Sequence, residues 1–98
     1  MKYVLAWEFR ANSEETTARA LQIFGSWEPS EGTNFLQFVG RVDGRGGFAV
    51  IETEDPTLIA HGVSIFSPFA DYSVYPVLDI RESARIAGEA AEFRRSAG

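Results

Sequence analysis

Hydrophobic and polar positions alternate along the first part of the chain, KYVLAWEF at residues 2–9. Every odd-numbered residue of this segment is apolar or aromatic, whereas the even-numbered residues are mixed. A period of two places successive side chains on opposite faces of a β-strand. The pattern therefore predicts a strand over residues 2–9 with one wholly apolar face.

The period lengthens in the following segment, ANSEETTARALQIFGSW. Apolar residues now recur at the spacing of one helix face as far as Phe24. Asn12 is expected to be the N-cap of this helix, and Glu15, three residues later, completes the pattern of a capping box. Because Gly25 is a favourable terminator, the helix is predicted over residues 13–24.

Two further strands are predicted at residues 34–42 and 47–54, and both faces of each are apolar. Simple alternation puts Phe35 and Phe38 on opposite faces of the first of them. Strands that are apolar on both faces are covered on both sides in folded proteins. This pair is therefore expected in the middle of a packed structure.

The segment GRVDGRGG joins these two strands, and its Asp43-Gly44 pair is typical of a hairpin turn because both positions tolerate positive φ. A phosphate-binding glycine loop is the alternative. Such a loop opens a helix, whereas this one leads into a strand. The hairpin is therefore the prediction, and the remaining role for Arg41 and Arg45 is to meet an acidic ligand or a carboxylate of a partner subunit.

A second helix is predicted in EDPTLIAHGVSIF, with Asp55 as its N-cap and Pro56 at its first position. A fourth strand follows at residues 71–80. Pro76 lies in the middle of that strand and lacks a backbone donor. The proline therefore indicates a strand at the edge of the sheet.

The last segment, RESARIAGEAAEFRRSAG, has helical spacing, and Asp79 with Glu82 forms the pattern of a second capping box. The predicted order is thus β-α-β-β-α-β with a further helix, the α+β arrangement of ferredoxin-like folds. It implies one domain over residues 1–98 and a four-stranded antiparallel sheet in the order 4-1-3-2. That order places the fourth strand at an edge, where Pro76 independently places it.

All four predicted strands carry apolar residues on both faces, but the helices of this arrangement cover only one face of the sheet. The bare face would be a larger apolar patch than monomeric proteins expose. We therefore predict a homodimer in which two sheets face each other, a dimeric α+β barrel. The alternative is that the last helix folds back over the second face.

Charge and composition narrow the choice of partners. The chain has 9 basic and 14 acidic residues, a formal net charge of −5. An acidic chain without a lysine or arginine cluster disfavours nucleic acid and anionic membranes, so neither is expected as a partner. The sequence contains no cysteine and no apparent signal peptide, which fits a cytoplasmic location. With a single histidine, neither a metal site nor a cofactor is predicted.

Three segments together resemble a known family: GRVDGRGGFAVIETEDP, PFADYSVYPVLDI and the first strand, KYVLAWEF. They resemble the uncharacterised bacterial family called domain of unknown function 3303, over about residues 1–95. More distantly, the chain is similar to the dimeric α+β-barrel superfamily, whose members include cofactor-free monooxygenases, haem-degrading enzymes, muconolactone-isomerase-like enzymes, polyketide cyclases and stress-response proteins. The resemblance implies a barrel-like dimer with a pocket between sheet and helices in each subunit, and it implies no catalytic residues.

The candidate pocket residues are Trp7, Phe38 and Tyr75 as aromatic walls, Arg41 as an anion partner and His61 as a base or ligand. No catalytic motif is present, so the sequence leaves open whether the protein is an enzyme. The function expected first is that of a homodimer that binds an apolar or aromatic small molecule in an accessory or stress-related role. The alternative is a cofactor-independent monooxygenase or isomerase, and a haem protein that uses His61 is a third hypothesis.

Overall fold

Strands and helices alternate in the predicted order in the computed structural model, which describes residues 1–10 and 13–98. The strands are β1 (Lys2–Phe9), β2 (Thr33–Gly40), β3 (Gly46–Thr53) and β4 (Ala70–Val77), and the helices are α1 (Glu14–Ser26), α2 (Pro56–Phe66) and α3 (Ile80–Ala97). Element types and order agree with the sequence analysis, and only the element ends differ by a few residues.

The four strands form one antiparallel sheet in the order β2-β3-β1-β4. Read from the other edge this is 4-1-3-2, so the predicted ferredoxin-like α+β arrangement is confirmed. β4 is an edge strand, as the proline indicated, and Pro76 stands opposite Tyr3 of β1. The hydrophobic periodicity of the strands and helices carried enough information for this topology because the order β-α-β-β-α-β is typical of the split βαβ arrangement.

The inner face of the sheet is the one that packs against α2. Leu5, Ala49 and Ile51 of this face form the buried core cluster together with Ile59 of α2. Ala70 is the other buried apolar residue among the residues described. The core is thus thin, as expected for a short chain, and larger side chains around it stay partly exposed.

The outer face of the sheet is the opposite one, and it includes Val4, Val39, Phe48, Val50 and Tyr75. Register places Val4 beside both Val50 and Tyr75, and Val39 beside Phe48. Val39, Phe48 and Tyr75 are 49%, 47% and 56% exposed. The centre of the outer face is therefore apolar, although charged residues lie on the same face near the strand ends, and no other element among the described residues covers it.

The third helix, α3, leaves the sheet instead of folding back over its outer face. Ile80 and Phe93 are 82% and 72% exposed, and Ser83 alone in this helix reaches intermediate burial. The chain consequently extends over 61 × 29 × 20 Å. The structure therefore contradicts the alternative in which the last helix covers the outer face. No helix in residues 1–10 and 13–98 is both long and apolar enough to cross a bilayer.

The ends of α1 differ from the prediction. The expected N-cap, Asn12, lies outside the described residues, and the structure has Ser13 as the N-cap, whose Oγ accepts a 3.0 Å hydrogen bond from the backbone N–H of Thr16. The helix continues through Gly25 to Ser26, so the predicted termination was wrong. The positive-φ glycines of the described chain are Gly32 and Gly44, which leaves Gly25 without the left-handed conformation of a helix-ending glycine.

The two aspartate caps behave differently. Asp55 caps α2 as predicted, since its Oδ1 accepts hydrogen bonds from the Thr57 backbone N–H at 3.0 Å and from the Thr57 hydroxyl at 2.6 Å. Asp79 precedes α3 without a side-chain cap, so the second capping box was wrong. Lys2 donates to Asp79 at 2.6 Å instead, because a charge-assisted hydrogen bond is stronger than a neutral one.

The connection between β2 and β3 is a hairpin, as predicted, although only Gly44 of the Asp43-Gly44 pair has a positive φ. Gly44 has φ +73°, and its N–H donates to the Arg41 carbonyl at 3.0 Å. Asp43 accepts a 3.0 Å hydrogen bond from the Arg45 backbone N–H and forms an ion pair with Arg41. Asp43 and Arg41 therefore bind to each other and to the backbone of the turn.

The two glycines that follow the turn are required by Trp7. A Cβ atom on Gly46 would lie 1.9 Å from the carbonyl oxygen of Trp7. On Gly47 it would lie 2.4 Å from Cζ2 of the Trp7 indole and 2.4 Å from the Val39 carbonyl oxygen. Any side chain here would displace β1 from β3 or push the indole from its place.

We expect Gly46→Ala to lower the free energy of unfolding by about 1–3 kcal/mol, because the contact is with backbone that has no alternative rotamer. Gly25→Ala is the matched control: no neighbouring atom lies within 4 Å of its Cβ position, and the exchange favours the helix by up to about 1 kcal/mol. Urea denaturation followed by circular dichroism measures both. Equal stability of the two variants would contradict the assignment.

Stability should also fall in acid because three carboxyl groups are stabilised as anions. The hydroxyl and backbone N–H of Thr57 hold the pKa of Asp55 below its ordinary value of 3.8. The Arg45 N–H and the Lys2 ammonium likewise lower the pKa of Asp43 and of Asp79. Their contribution is complete above the unfolded-state pKa and is lost as pH falls through the lower folded-state value.

Asp55→Asn keeps a capping side chain but does not titrate there. We therefore expect the variant to lose less free energy of unfolding than the parent when the pH is lowered from about 6 to about 3. Denaturant titrations across this interval measure the two slopes. Identical slopes would show that Asp55 has no depressed pKa.

Candidate functional site

A cavity of about 350 Å³ lies between the inner face of the sheet and the helices α1 and α2. Its floor includes Leu5, Ala49 and Ile51 of the sheet, while Ala20 of α1 and Val63 of α2 contribute to its sides. The volume falls within the range of small-molecule binding sites in proteins. The cavity is therefore large enough to hold a small organic ligand.

Aromatic side chains dominate the cavity wall. From the strands come Trp7, Phe9, Phe35, Phe38 and Tyr72, and from the helices and loops come Phe24, Trp27, Phe66 and Phe69. Most of the chain's aromatic residues thus surround one space, and those outside it are Tyr3, Phe48, Tyr75 and Phe93. The high aromatic content of this short chain is explained mainly by the cavity.

Trp7 lies at the centre of the sheet side of this wall. Its ring centroid is 5.7 Å from that of Phe38 in an edge-to-face arrangement and 6.1 Å from that of Tyr72 in a stacked one. Trp7 reaches this position because odd-numbered residues of β1 face the helices and because Gly47 leaves room for the indole. Edge-to-face and stacked pairs stabilise aromatic clusters beyond the area they bury.

Trp27, just after α1, is the corresponding residue on the helix side. Its ring centroid is 5.5 Å from that of Phe66 in α2, 6.0 Å from that of Phe24 in α1, and 6.1 Å from that of Phe35 in β2. One indole therefore contacts three different elements around the cavity. This arrangement ties α1 and α2 to the sheet although neither helix is fully packed against it.

A β-bulge in β2 brings two phenylalanines to the same face. The pairing register of β2 with β3 shifts between Phe35 and Gln37, so that Phe35 is opposite Ile51 and Phe38 is opposite Ala49. The Phe35 and Phe38 ring centroids are 5.0 Å apart. The expectation that they occupy opposite faces was wrong, because a bulge adds one residue to the strand and reverses the alternation beyond it.

Tyr72 is the one ionisable residue among those that line the cavity. Burial raises the pKa of its phenol above the ordinary value of 10.0, so the hydroxyl stays protonated at neutral pH. Within the described part of the chain this hydroxyl has no hydrogen-bond partner. Tyr72 is thus a hydrogen-bond donor that remains available to a ligand.

Two of the five sequence-predicted pocket residues line this cavity, namely Trp7 and Phe38. His61 is exposed on α2, and its neighbours Gly62 and Ile59 line the cavity while His61 does not. A haem in the cavity would therefore not meet the ligand that the sequence suggested. The helical repeat of α2 turns the histidine away because positions 59, 62, 63 and 66 already form the apolar stripe.

The other two predicted residues lie elsewhere. Arg41 belongs to the hairpin turn, where it pairs with Asp43. Tyr75 is on the outer face of the sheet beside Val4. The structure therefore does not bring Arg41, His61 and Tyr75 together with Trp7 and Phe38 in one site.

The sequence analysis did not name several residues that line the wall, among them Phe24, Trp27, Phe66 and Tyr72. The helical stripes of α1 and α2 contained Phe24 and Phe66, and the alternation of β4 contained Tyr72. These signals indicated burial, but they did not distinguish a cavity wall from a packed core. That distinction depends on how far the helices stand from the sheet.

The described part of the cavity wall carries no charged group. None of its residues has a carboxylate, imidazole, ammonium or guanidinium group. Within residues 1–10 and 13–98, no three His, Asp or Glu side chains are grouped so as to hold a metal ion. The cavity offers an aromatic surface, a few hydroxyl groups and one protonated phenol.

In a comparison with protein families, the model described as Domain of unknown function (DUF3303) matches residues 1–91, which include all four strands, α1, α2 and more than half of α3. A comparison with curated proteins found no match.

Proposed function

The chain belongs to the DUF3303 family, a domain of unknown function, and we propose that it is a homodimeric protein that binds an apolar, aromatic small molecule in the cavity between sheet and helices. The observation that carries the proposal is the cavity wall itself, formed by nine aromatic side chains around about 350 Å³. Aromatic rings provide a large, rigid contact surface for other rings. A binding role in an accessory or stress-related process fits a wall without a general base.

Tyr72 defines the polar preference of this ligand. A phenol that stays protonated donates one hydrogen bond but does not neutralise a charge. The wall also lacks a cationic side chain, so a charged carboxylate would lose its hydration without compensation. The ligand class that fits is an uncharged aromatic compound with one acceptor, such as a carbonyl or ether oxygen.

The homodimer belongs to the same proposal. Its support is the uncovered apolar outer face, on which Phe48 and Tyr75 are about half exposed. The thin core gives a second reason, because small domains often gain missing apolar burial from association. The cytoplasmic location expected from the sequence is likewise part of the proposal.

A cofactor-independent monooxygenase or isomerase is the second candidate, and Tyr72 is the observation that favours it. A protonated phenol beside a bound substrate can donate a proton to a developing oxyanion. Binding ranks first because the lining residues include no group to remove the proton that such a reaction must lose.

The binding proposal is tested with N-phenyl-1-naphthylamine, an uncharged aromatic dye. Both tryptophans of the chain, Trp7 and Trp27, line the cavity, so intrinsic fluorescence reports on its occupation. We expect saturable quenching of the tryptophans and enhancement of dye emission. Ala20→Phe, which places a ring in the cavity, should weaken dye binding at least about tenfold, a change of about 1.4 kcal/mol.

Ala18→Phe is the matched control, since residue 18 is on the exposed side of α1 and does not line the cavity. It should bind the dye as the parent does. Equal weakening by the two substitutions, or no dye binding by the folded parent, would overturn the proposal. Conversion of a bound aromatic compound into a product, detected by mass spectrometry, would favour the enzymatic candidate instead.

The role of Tyr72 is tested by Tyr72→Phe with two matched probes, 2-acetylnaphthalene and 2-ethylnaphthalene. We expect the variant to bind the ketone about two- to tenfold more weakly, the effect of one neutral hydrogen bond, and to bind the hydrocarbon unchanged. Competition with the naphthylamine dye measures both affinities. A loss of the same size for the two probes would show that Tyr72 acts by shape alone.

A further inference from the structure

α3 presents an apolar arc that neither the core nor the cavity uses. Ile80, Ile86 and Phe93 lie on this arc together with the alanines of the helix, and Arg94 is the charged residue within it. Ile80 is 82% exposed and Phe93 is 72% exposed. Exposing an apolar arc that covers about half of a helix to water costs free energy. The arc therefore indicates a partner surface.

The opposite, polar arc of α3 carries ion pairs between residues of the helix itself. Arg85 is within 2.6 Å of Glu89 and also pairs with Glu82, and Arg95 pairs with Glu92. Pairs three or four residues apart support isolated helices. α3 therefore projects as a preformed arm and does not need to fold on contact.

The chain's own body is defined here as residues 1–79, and its described residues leave this arc uncovered. The arm begins directly after β4, and its start is held by the ion pair between Lys2 and Asp79. Its 18 residues span about 27 Å. This length is close to that of an eight-residue strand, so one arm matches the long dimension of a sheet face.

The charges of arm and body are complementary. The arm contains the arginines Arg81, Arg85, Arg94 and Arg95 and the glutamates Glu82, Glu89 and Glu92. It therefore carries a formal charge of +1, whereas the body carries −6. A weakly basic arm is attracted to an acidic body, and a second copy of the chain always provides one.

We propose that α3 is an exchanged arm: in the homodimer, the apolar arc of each α3 packs on the body of the second copy, at its uncovered outer sheet face. A two-fold axis makes the contact reciprocal. Each copy provides one apolar helix arc and one apolar sheet face, so every arc in the dimer has a face to pack on. The proposal rests on the homodimer of the proposed function, places the two arms where the sequence analysis expected direct contact between the sheets, and is independent of the ligand.

A membrane surface fits this arc less well. Helices that lie on membranes carry lysine- and arginine-rich polar faces with large apolar side chains opposite. The polar arc of α3 carries as many glutamates (Glu82, Glu89 and Glu92) as arginines (Arg81, Arg85 and Arg95), and its apolar arc consists largely of alanine. Small residues permit close packing against another protein surface.

Analytical ultracentrifugation of the full chain tests the arm with Phe93→Glu, and Ser96→Glu is the matched control on the polar arc. We expect a dimer for the parent and the control, and a dimer dissociation constant at least about tenfold higher for Phe93→Glu, since buried aromatic residues dominate interfaces. Circular dichroism should be unchanged, because Phe93 makes no core contact in its own chain. A monomeric parent, or equal dissociation constants for both variants, would overturn the proposal.

Phe48→Glu on the outer face distinguishes a failure of the arm proposal from a failure of the homodimer proposal. Weakening by both Phe48→Glu and Phe93→Glu is expected, whereas weakening by Phe48→Glu alone would keep the homodimer and overturn the arm. Naphthylamine binding is measured on the same samples, so a failure of the arm is distinguished from a failure of the ligand site. Binding of the parent, but not of Phe93→Glu, to phosphatidylglycerol vesicles in place of dimerisation would assign the arc to a membrane and overturn the proposal.

A direct measurement uses p-benzoylphenylalanine in place of Phe93, in a mixture of ¹⁵N-labelled and unlabelled chains. We expect mixed-isotope cross-links from the arm to peptides of β1, β3 or β4. Cross-links confined to one isotope would show that the arm contacts only its own chain and would overturn the proposal.

Discussion

The contact between Trp7 and the two glycines beside it is the constraint on which the rest of this structure depends. Gly46 allows the backbone of β3 to approach the Trp7 carbonyl, and Gly47 leaves space for the indole. The indole then meets Phe38 on one side and Tyr72 on the other. The glycine-rich segment that the sequence identifies as a turn therefore also determines how β1 packs against β3 and where the cavity wall lies.

The two faces of the sheet differ in what covers them, and together they explain the high apolar and aromatic content of the chain. The inner face supports a thin core and a cavity, because α1 and α2 contact it through aromatic side chains and leave space between them. The outer face carries exposed side chains such as Phe48, and α3 carries Phe93 away from the body. Apolar residues thus form three separate surfaces, of which the chain by itself fully buries only a small part.

Much of the fold could be predicted because its signals are local. The alternation in β1, the Asp43-Gly44 turn and the Asp55-Pro56 helix start each depend on neighbouring residues, and each was confirmed. Of the aromatic strand residues expected to border a pocket, Trp7 and Phe38 line the cavity, whereas Tyr75 lies on the outer face. His61 was a weaker candidate because a lone histidine carries no information about which side of a helix faces the cavity.

The sequence by itself determined the type and order of the elements, because periodicity and turn residues act over a few positions, and this order is typical of one sheet topology. The tertiary structure decided the rest. Three features depend on residues that are distant in the chain. They are the bulge that puts Phe35 beside Phe38, the ion pair between Lys2 and Asp79, and the distance between α1 and the sheet. Their energies arise only when those residues meet, so no local pattern encodes them.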